Sequence, residues 1–402
     1  MSELTAGEQG SATQPHARRT LAITGLNHAL HDGYTDLIYV LLPIWQSEFA
    51  LSYSLLALMR ALYAGAMAGL QIPVGWLAGR IDGKTVLMLG TALAAFGYVI
   101  AGLSGGVVGL GLALAVSGAG SSTQHPIASA AVARAFGTAA RGPLGIYNFS
   151  GDLGKAALPA LTSLLLIIMP WRHALLVLAL VGLCVAIAIG ALMPPVGRAR
   201  TEEASSSRRS AGGRGGFWLL FSIGVLDTAV RMGLLTFLPF LLHAKGASLP
   251  TTGFALALVF VGGAAGKFVC GWLGARAGVL RTVLLTEGGT AIGILAVLAL
   301  PLGPAMVLLP LLGVMLNGTS SVLYGTVPEL APAHRTEHAF ALFYTGTIGS
   351  GALSPILYGL VGDAFGAGAA TVATAITALA IFPIAIVLAP SLAAEPKQAG
   401  ST

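Results

Sequence analysis

Apolar residues run along this chain in stretches far longer than a soluble helix or strand requires, separated by short polar breaks. Twelve such stretches lie near 21–45, 52–79, 84–103, 106–133, 142–168, 172–193, 217–243, 250–274, 280–300, 304–328, 339–361 and 368–390. Roughly 20 mainly apolar residues are enough for a helix to cross the hydrocarbon core. A membrane β-strand would need only about 9–11 residues and would alternate, which these runs do not. The pattern predicts an all-α polytopic membrane protein with twelve transmembrane helices. Composition sharpens this: 9% of residues are charged and 55% hydrophobic, with a mean hydropathy of +0.84. An ordinary soluble domain is roughly 25% charged. The balance excludes a soluble enzyme, a disordered chain and a secreted disulfide scaffold. Cys184 and Cys270 both lie inside apolar runs and read as small core residues.

The polar breaks set the orientation. The first 20 residues are polar (Glu3, Glu8, His16, Arg18, Arg19), and the run after them is too long for a signal-peptide core. Residues 1–20 are therefore expected to be a retained cytosolic tail. With that end inside, the cytosolic set is Arg18, Arg19, Arg80, Lys84, Arg134, Arg141, Arg198, Arg200, Arg208, Arg209, Arg214, Arg276, Arg281, Arg335 and Lys397. Only Arg172 and Lys245 fall opposite. That asymmetry is the positive-inside rule at work, so the net charge of +6 reads as topology rather than nucleic-acid binding. The C-terminal tail, 391–402, falls on the same side.

Residues 194–216 form the one long polar segment, rich in Arg, Ser and Gly, and read as a flexible cytosolic linker. It divides the spans six and six, into halves 21–193 and 217–390. The halves repeat at an offset of 196 residues: Pro43 and Pro239, Ser52 and Ser248, Gly75-Trp76-Leu77 and Gly271-Trp272-Leu273, Arg80 and Arg276, Pro159 and Pro355, Pro194 and Pro390. Two parallel six-helix halves on a cytosolic linker resemble the major facilitator transporters. The stretch from Gly75 to Lys84 resembles that superfamily's signature loop between spans 2 and 3. Gly79, and Ala275 in the second copy, stand where the pattern usually has an acid, with Asp82 as a possible stand-in.

A charge at the bilayer centre costs about 2.5–3.5 kcal/mol on insertion scales, so charges kept inside spans should be paired or line an aqueous path. Nine are found: Asp32, Asp36, Arg60, Asp152, Lys155, Asp227, Arg231, Lys267 and Glu287. In span 1, His28, His31, Asp32, Thr35, Asp36 and Tyr39 share one helical face, which lipid would not tolerate. Carboxylates beside imidazoles suit proton coupling, the role expected of His31, Asp32, Asp36 and Asp152; a structural hydrogen-bond knot is the alternative. Asp152 and Lys155 sit at i and i+3 with Asn148 one turn before, a switch or a scaffold pair. Asp227 and Arg231, at i and i+4, read more as a structural pair. Arg60 and Lys267 have no acid at helical spacing in their own spans; Tyr63 shares the face of Arg60. Either cation could hold an anionic substrate, or Lys267 could snorkel to the interface. Glu287, early in span 9, is expected to face the cytosolic loop. In span 4, Pro126 loosens the ladder near His125, so that Ser121, Gln124 and His125 offer polar groups at one level. Asn317, Ser320, Ser321 and Tyr324 echo this in span 10.

His28, His31 and Asp32, the run from Ser117 to Pro126, and the segment Ile146 to Gly154 look like the fosmidomycin-resistance branch of the major facilitators. The similarity covers most of the N-terminal half and is weak in the C-terminal half. Ile127 replaces a common acid, and Asp152 and Lys155 stand where that branch is uncharged. The resemblance implies an inner-membrane, proton-driven exporter with no cofactor beyond the proton gradient. Its partners would be a small-molecule substrate, protons and the bilayer, in a monomer. Uptake of a small organic anion by proton symport is the competing reading. Substrate would bind near the midplane, at His28, Tyr39, Arg60, Tyr63, Gln124, His125, Asn148, Lys155, Asp227, Arg231, Lys267 and Tyr324. No nucleophile or metal constellation and no phosphate-cradling motif argues for an enzyme.

Overall fold

A computed structural model describes residues 5–196, 214–331 and 336–393. Most of the linker, with Arg198, Arg200, Arg208 and Arg209, lies outside the described residues, as do Arg335, Lys397 and the tail beyond residue 393. The described chain is helical, without strands. Before the linker run α1 (Thr5–Phe49), α2 (Tyr53–Arg80), α3 (Gly83–Leu103), α4 (Val107–Ser121), α5 (Gln124–Phe136), α6 (Arg141–Ile168) and α7 (Trp171–Leu192). After it come α8 (Arg214–Ala244), α9 (Leu249–Ala277), α10 (Val279–Ala299), α11 (Leu302–Leu330), α12 (Thr336–Phe365) and α13 (Ala367–Ala393).

These helices fall on the twelve expected spans, with two differences. Helix α1 continues back through the polar residues assigned to a tail. Span 4 is split into α4 and α5 by a turn at Ser122–Thr123. The cause of the split is Pro126, which has no N–H to give the carbonyl four residues earlier, that of Ser122. Among the described residues, nine helices are long and apolar enough to cross a membrane on their own composition. Helix α1 is not among them, because its polar stripe dilutes it.

The chain forms two compact units, Met1–Ile44 with Met59–Glu203, and Trp45–Leu58 with Ala204–Thr402. In the first, α3 packs on α7 and α4. Asp82 caps α3, accepting from the Lys84 N–H (3.3 Å) and also from the Val196 N–H (3.1 Å). In the second unit, Phe217, Leu220, Ile223, Val283, Leu323, Val327, Phe343 and Ile381 make a common core for α8, α10, α11, α12 and α13. Lys245 donates to the carbonyls of Leu298 and Leu300, closing the C-terminal end of α10.

The repeat is visible in packing as well as in sequence. A Cβ on Gly118 would run into the carbonyl of Tyr63, and one on Gly313 into the carbonyl of Val259. Val259 stands 196 residues after Tyr63. Each unit thus brings the same two backbones together at the same place, using small residues as membrane helices do.

Candidate functional site

The polar stripe of α1 faces α4, α5 and α6 of its own unit. Two hydrogen-bonded groups form there, and their proton requirements differ.

The first centres on His31, which is 2% exposed. Its Nε2 lies 3.1 Å from Thr91 Oγ1 and its Nδ1 2.9 Å from Ser121 Oγ. Thr91 already donates its hydroxyl proton to Asn27 Oδ1 (2.9 Å), so towards His31 it accepts, and Nε2 carries the ring proton. Nδ1 then accepts from Ser121, which leaves Ser121 to accept from the Tyr63 hydroxyl (2.7 Å). Asn27 Nδ2 donates to Gln124 Oε1, and Gln124 Nε2 to the Tyr147 hydroxyl (3.2 Å). Tyr63, Ser121, Thr91, Asn27 and Gln124 each donate to an acceptor with His31 neutral. A satisfied buried network of this kind rigidifies a helix junction.

The second group centres on Asp32. His28 Nδ1 is 2.8 Å from the Tyr147 carbonyl, which can only accept, so this nitrogen bears a proton. The His28 ring stacks on Tyr147 (centroids 4.2 Å apart) and meets His125 edge-on at 5.2 Å. Its Nε2 faces Asp32 Oδ2 at 3.4 Å, and His125 Nε2 approaches Asp32 Oδ1 at 3.8 Å. Lys155 Nζ is 3.2 Å from the same Oδ2 and 3.9 Å from Asp152 Oδ1. Gly151 makes this possible: a Cβ there would sit 2.7 Å from both Asp32 Oδ2 and His28 Nε2. His28, Asp32 and His125 offer three ligand atoms within 4.8 Å of one another, but the Lys155 ammonium already serves as the cation beside Asp32.

Around these groups, Asp36 is buried and acts electrostatically on both Tyr63 and Lys155. The guanidinium of Arg60, also buried, lies over the Tyr39 ring at 5.0 Å. Asn148 lies exposed on α6. Span 1, the α4–α5 break and α6 are therefore brought together as the sequence suggests. The reading had given no part to Asn27, Thr91 or Gly151, since one polar residue in an apolar span and one glycine among many carry little local signal.

The second unit holds a separate group. Arg231 Nη2 is 3.8 Å from Asp227 Oδ2 and 3.4 Å from Thr228 Oγ1. Glu287 does not face a loop: it is 1% exposed, and Asp227 and Arg231 of α8 act on it electrostatically. Its place near a span end misled the sequence reading, because α10 carries it against α8. The Tyr324 hydroxyl pairs with Thr347 (3.2 Å), and Lys267 is half-buried on α9.

With this geometry in place, the sequence matches the family model of the Major Facilitator Superfamily over residues 24–223 and 219–402. The chain belongs to the Major Facilitator Superfamily. That makes it a multi-pass membrane protein of a transporter family rather than an enzyme. It is 29% identical over 164 residues to the fosmidomycin resistance protein of Escherichia coli (strain K12), covering 40% of each chain. It is 31% identical over 147 residues to the probable sulfoacetate transporter SauU of Cupriavidus necator, covering 36% of this chain and 34% of that one. The matches thus span about two fifths or less of these relatives' length. A solved bacterial homolog of the human lysosomal transporter Spinster, inward-facing and occupied, shares the fold with a TM-score of 0.80 at 16% identity. That likeness covers 96% of this chain and 100% of the other.

Proposed function

We propose that this major facilitator is a proton-coupled transporter of the bacterial inner membrane that exports a small molecule by antiport, with both termini in the cytosol. One observation carries the reading. His28 commits its Nδ1 proton to the Tyr147 carbonyl, so its Nε2, 3.4 Å from Asp32 Oδ2, is attracted to that carboxylate only when a proton lies between them. Lys155, 3.2 Å from the same oxygen, balances Asp32 once that proton leaves. With the proton present, Lys155 is released towards Asp152 or a substrate. Proton and lysine thus compete for one carboxylate, and a conformational equilibrium biased by either ties proton movement to the transport cycle. The bilayer holds the chain as a monomer, and the proton gradient supplies the energy without a cofactor.

Export is supported by the likeness to a resistance protein. A second reading, uptake of a small organic anion by proton symport, is favoured by the half-buried Lys155 ammonium and by the likeness to a sulfoacetate transporter. A substrate found by ligand-induced thermal shift separates the two in inside-out vesicles with an acidified lumen. Antiport accumulates it in the lumen and symport expels it. Flux that ignores the pH gradient contradicts proton coupling in either direction.

A further inference from the structure

Two imidazoles and a carboxylate meet where α1, α5 and α6 come together. His28, Asp32 and His125 each lend one atom, and the three atoms lie within 4.8 Å of one another. His28 Nε2 stands 3.4 Å from Asp32 Oδ2, and His125 Nε2 stands 3.8 Å from Asp32 Oδ1. Ligands on a tetrahedral zinc ion, with bonds of about 2.0–2.1 Å, sit roughly 3.3–3.4 Å from one another. His28 and Asp32 already have that spacing, and His125 has to move inwards by about an ångström to share it. Two imidazole nitrogens and one carboxylate suit zinc and its neighbours, whereas magnesium and calcium favour an all-oxygen shell. Spacing along the chain hides the cluster, since His125 stands 93 positions after Asp32.

The surroundings fit the same use. His28 commits its Nδ1 proton to the Tyr147 carbonyl (2.8 Å), which leaves the Nε2 lone pair directed at Asp32. A carbonyl partner of this kind is what fixes the ring of a metal-bound histidine. Gly151 keeps a Cβ out of the space beside Asp32 Oδ2 and His28 Nε2. The His125 side chain is 44% exposed, so an ion can reach the cluster. Lys155 is the cation beside Asp32 in this arrangement, and it has a second partner to move to, Asp152 at 3.9 Å. Two acids share that one ammonium, so a negative charge is left for an ion that takes its place. His31 is already held by Thr91 and Ser121, which leaves the fourth position on the metal to water.

We infer that His28, Asp32 and His125 bind one zinc-class divalent cation, which competes with Lys155 for Asp32 and ties α1 to α5. Bound there, the ion takes the carboxylate on which the proposed proton coupling rests. The binding itself needs only the three side chains and holds whatever the chain transports.

Zinc chloride titrated into the purified full chain, freed of any histidine tag and read against a fluorescent zinc chelator, tests this without a transport assay. One ion should bind per chain. His125→Ala should weaken binding by at least about tenfold, the loss that even an outer-shell change brings. Lys155→Met removes the competing ammonium and should tighten binding by a similar factor. His125 is partly exposed, so His125→Ala should melt as wild type does without zinc; should it fail to fold, Lys155→Met supplies a readout of opposite sign. The site is overturned if neither wild type nor Lys155→Met binds zinc, or if Lys155→Met binds no more tightly than wild type. It is also overturned if His125→Ala keeps wild-type affinity, which would mark adventitious binding to other histidines. Each of these results concerns zinc binding alone, so it is distinct from a failure of pH-gradient-driven flux, which would contradict the coupling.

Discussion

Lys155 Nζ is 3.2 Å from Asp32 on α1 and 3.9 Å from Asp152 on its own helix. The nearer partner is on the other helix, so the ion pair joins α1 to α6 rather than bracing α6 alone. A double-mutant cycle on Asp32→Asn and Lys155→Met should give a larger coupling energy than one on Asp152→Asn and Lys155→Met, within the roughly 0.5–3 kcal/mol seen for contacting pairs. Lys155 is about a third exposed, so the single variant should cost less than the roughly 3–5 kcal/mol of breaking a fully buried pair. Equal couplings, or the reverse order, would return Lys155 to an intrahelical role.

Gly151 keeps the space in which Asp32 and His28 meet. Gly151→Ala should cost about 1–3 kcal/mol by overpacking and weaken pH-gradient-driven transport more than it lowers expression. A variant with wild-type melting and wild-type flux would show that the close approach is not required.

His28 and His31 should differ in kind. His31→Gln breaks a network that is satisfied with the ring neutral, leaving buried hydroxyls unpaired at about 1–3 kcal/mol. Its remaining transport should keep the wild-type pH profile. His28→Gln removes the Nε2 that faces Asp32 and should shift that profile. An unshifted profile in His28→Gln, or a shifted one in His31→Gln, contradicts the assignment.

Asp363, just past the end of its span, accepts from the backbone N–H groups of Tyr53 (2.6 Å) and Ser54 (3.2 Å) at the start of α2. Desolvation pushes its carboxyl up, but the hydrogen bonds from Ser54 and Tyr53 outweigh it and hold it below the usual carboxylate range. A depressed value stabilises the fold above the ordinary pKa of about 3.9, and that stabilisation is lost as pH falls through the lowered value. Asp363→Ala should cost about 0.5–2 kcal/mol, as loss of an N-cap does, with the difference from wild type shrinking in acid. Melting curves against pH check it; a difference that does not vary with pH would remove the charge from the account.

The spans were legible because the bilayer imposes a length and polarity that any sequence must display, and Pro126 announced the break in span 4 through the hydrogen bond it cannot make. The α1 stripe was legible for the same reason, since lipid forbids it. What the sequence withheld were partners on other helices. Lys155 looked paired to Asp152 because i and i+3 is visible along the chain, whereas Asp32 lies 123 positions away. Glu287 looked like a loop residue because Asp227, 60 positions earlier, becomes its neighbour only when α8 and α10 pack. Hydroxyl donors such as Thr91 fix the protonation state of His31 through geometry that has no trace in spacing.

Proton-driven flux through Asp32→Asn in proteoliposomes is the most direct measurement, taken beside substrate exchange with no pH gradient. The account predicts that Asp32→Asn still exchanges substrate across the membrane but no longer accumulates it when a pH gradient is imposed. Accumulation at the wild-type level by this variant would contradict the coupling role of the Asp32–His28 pair.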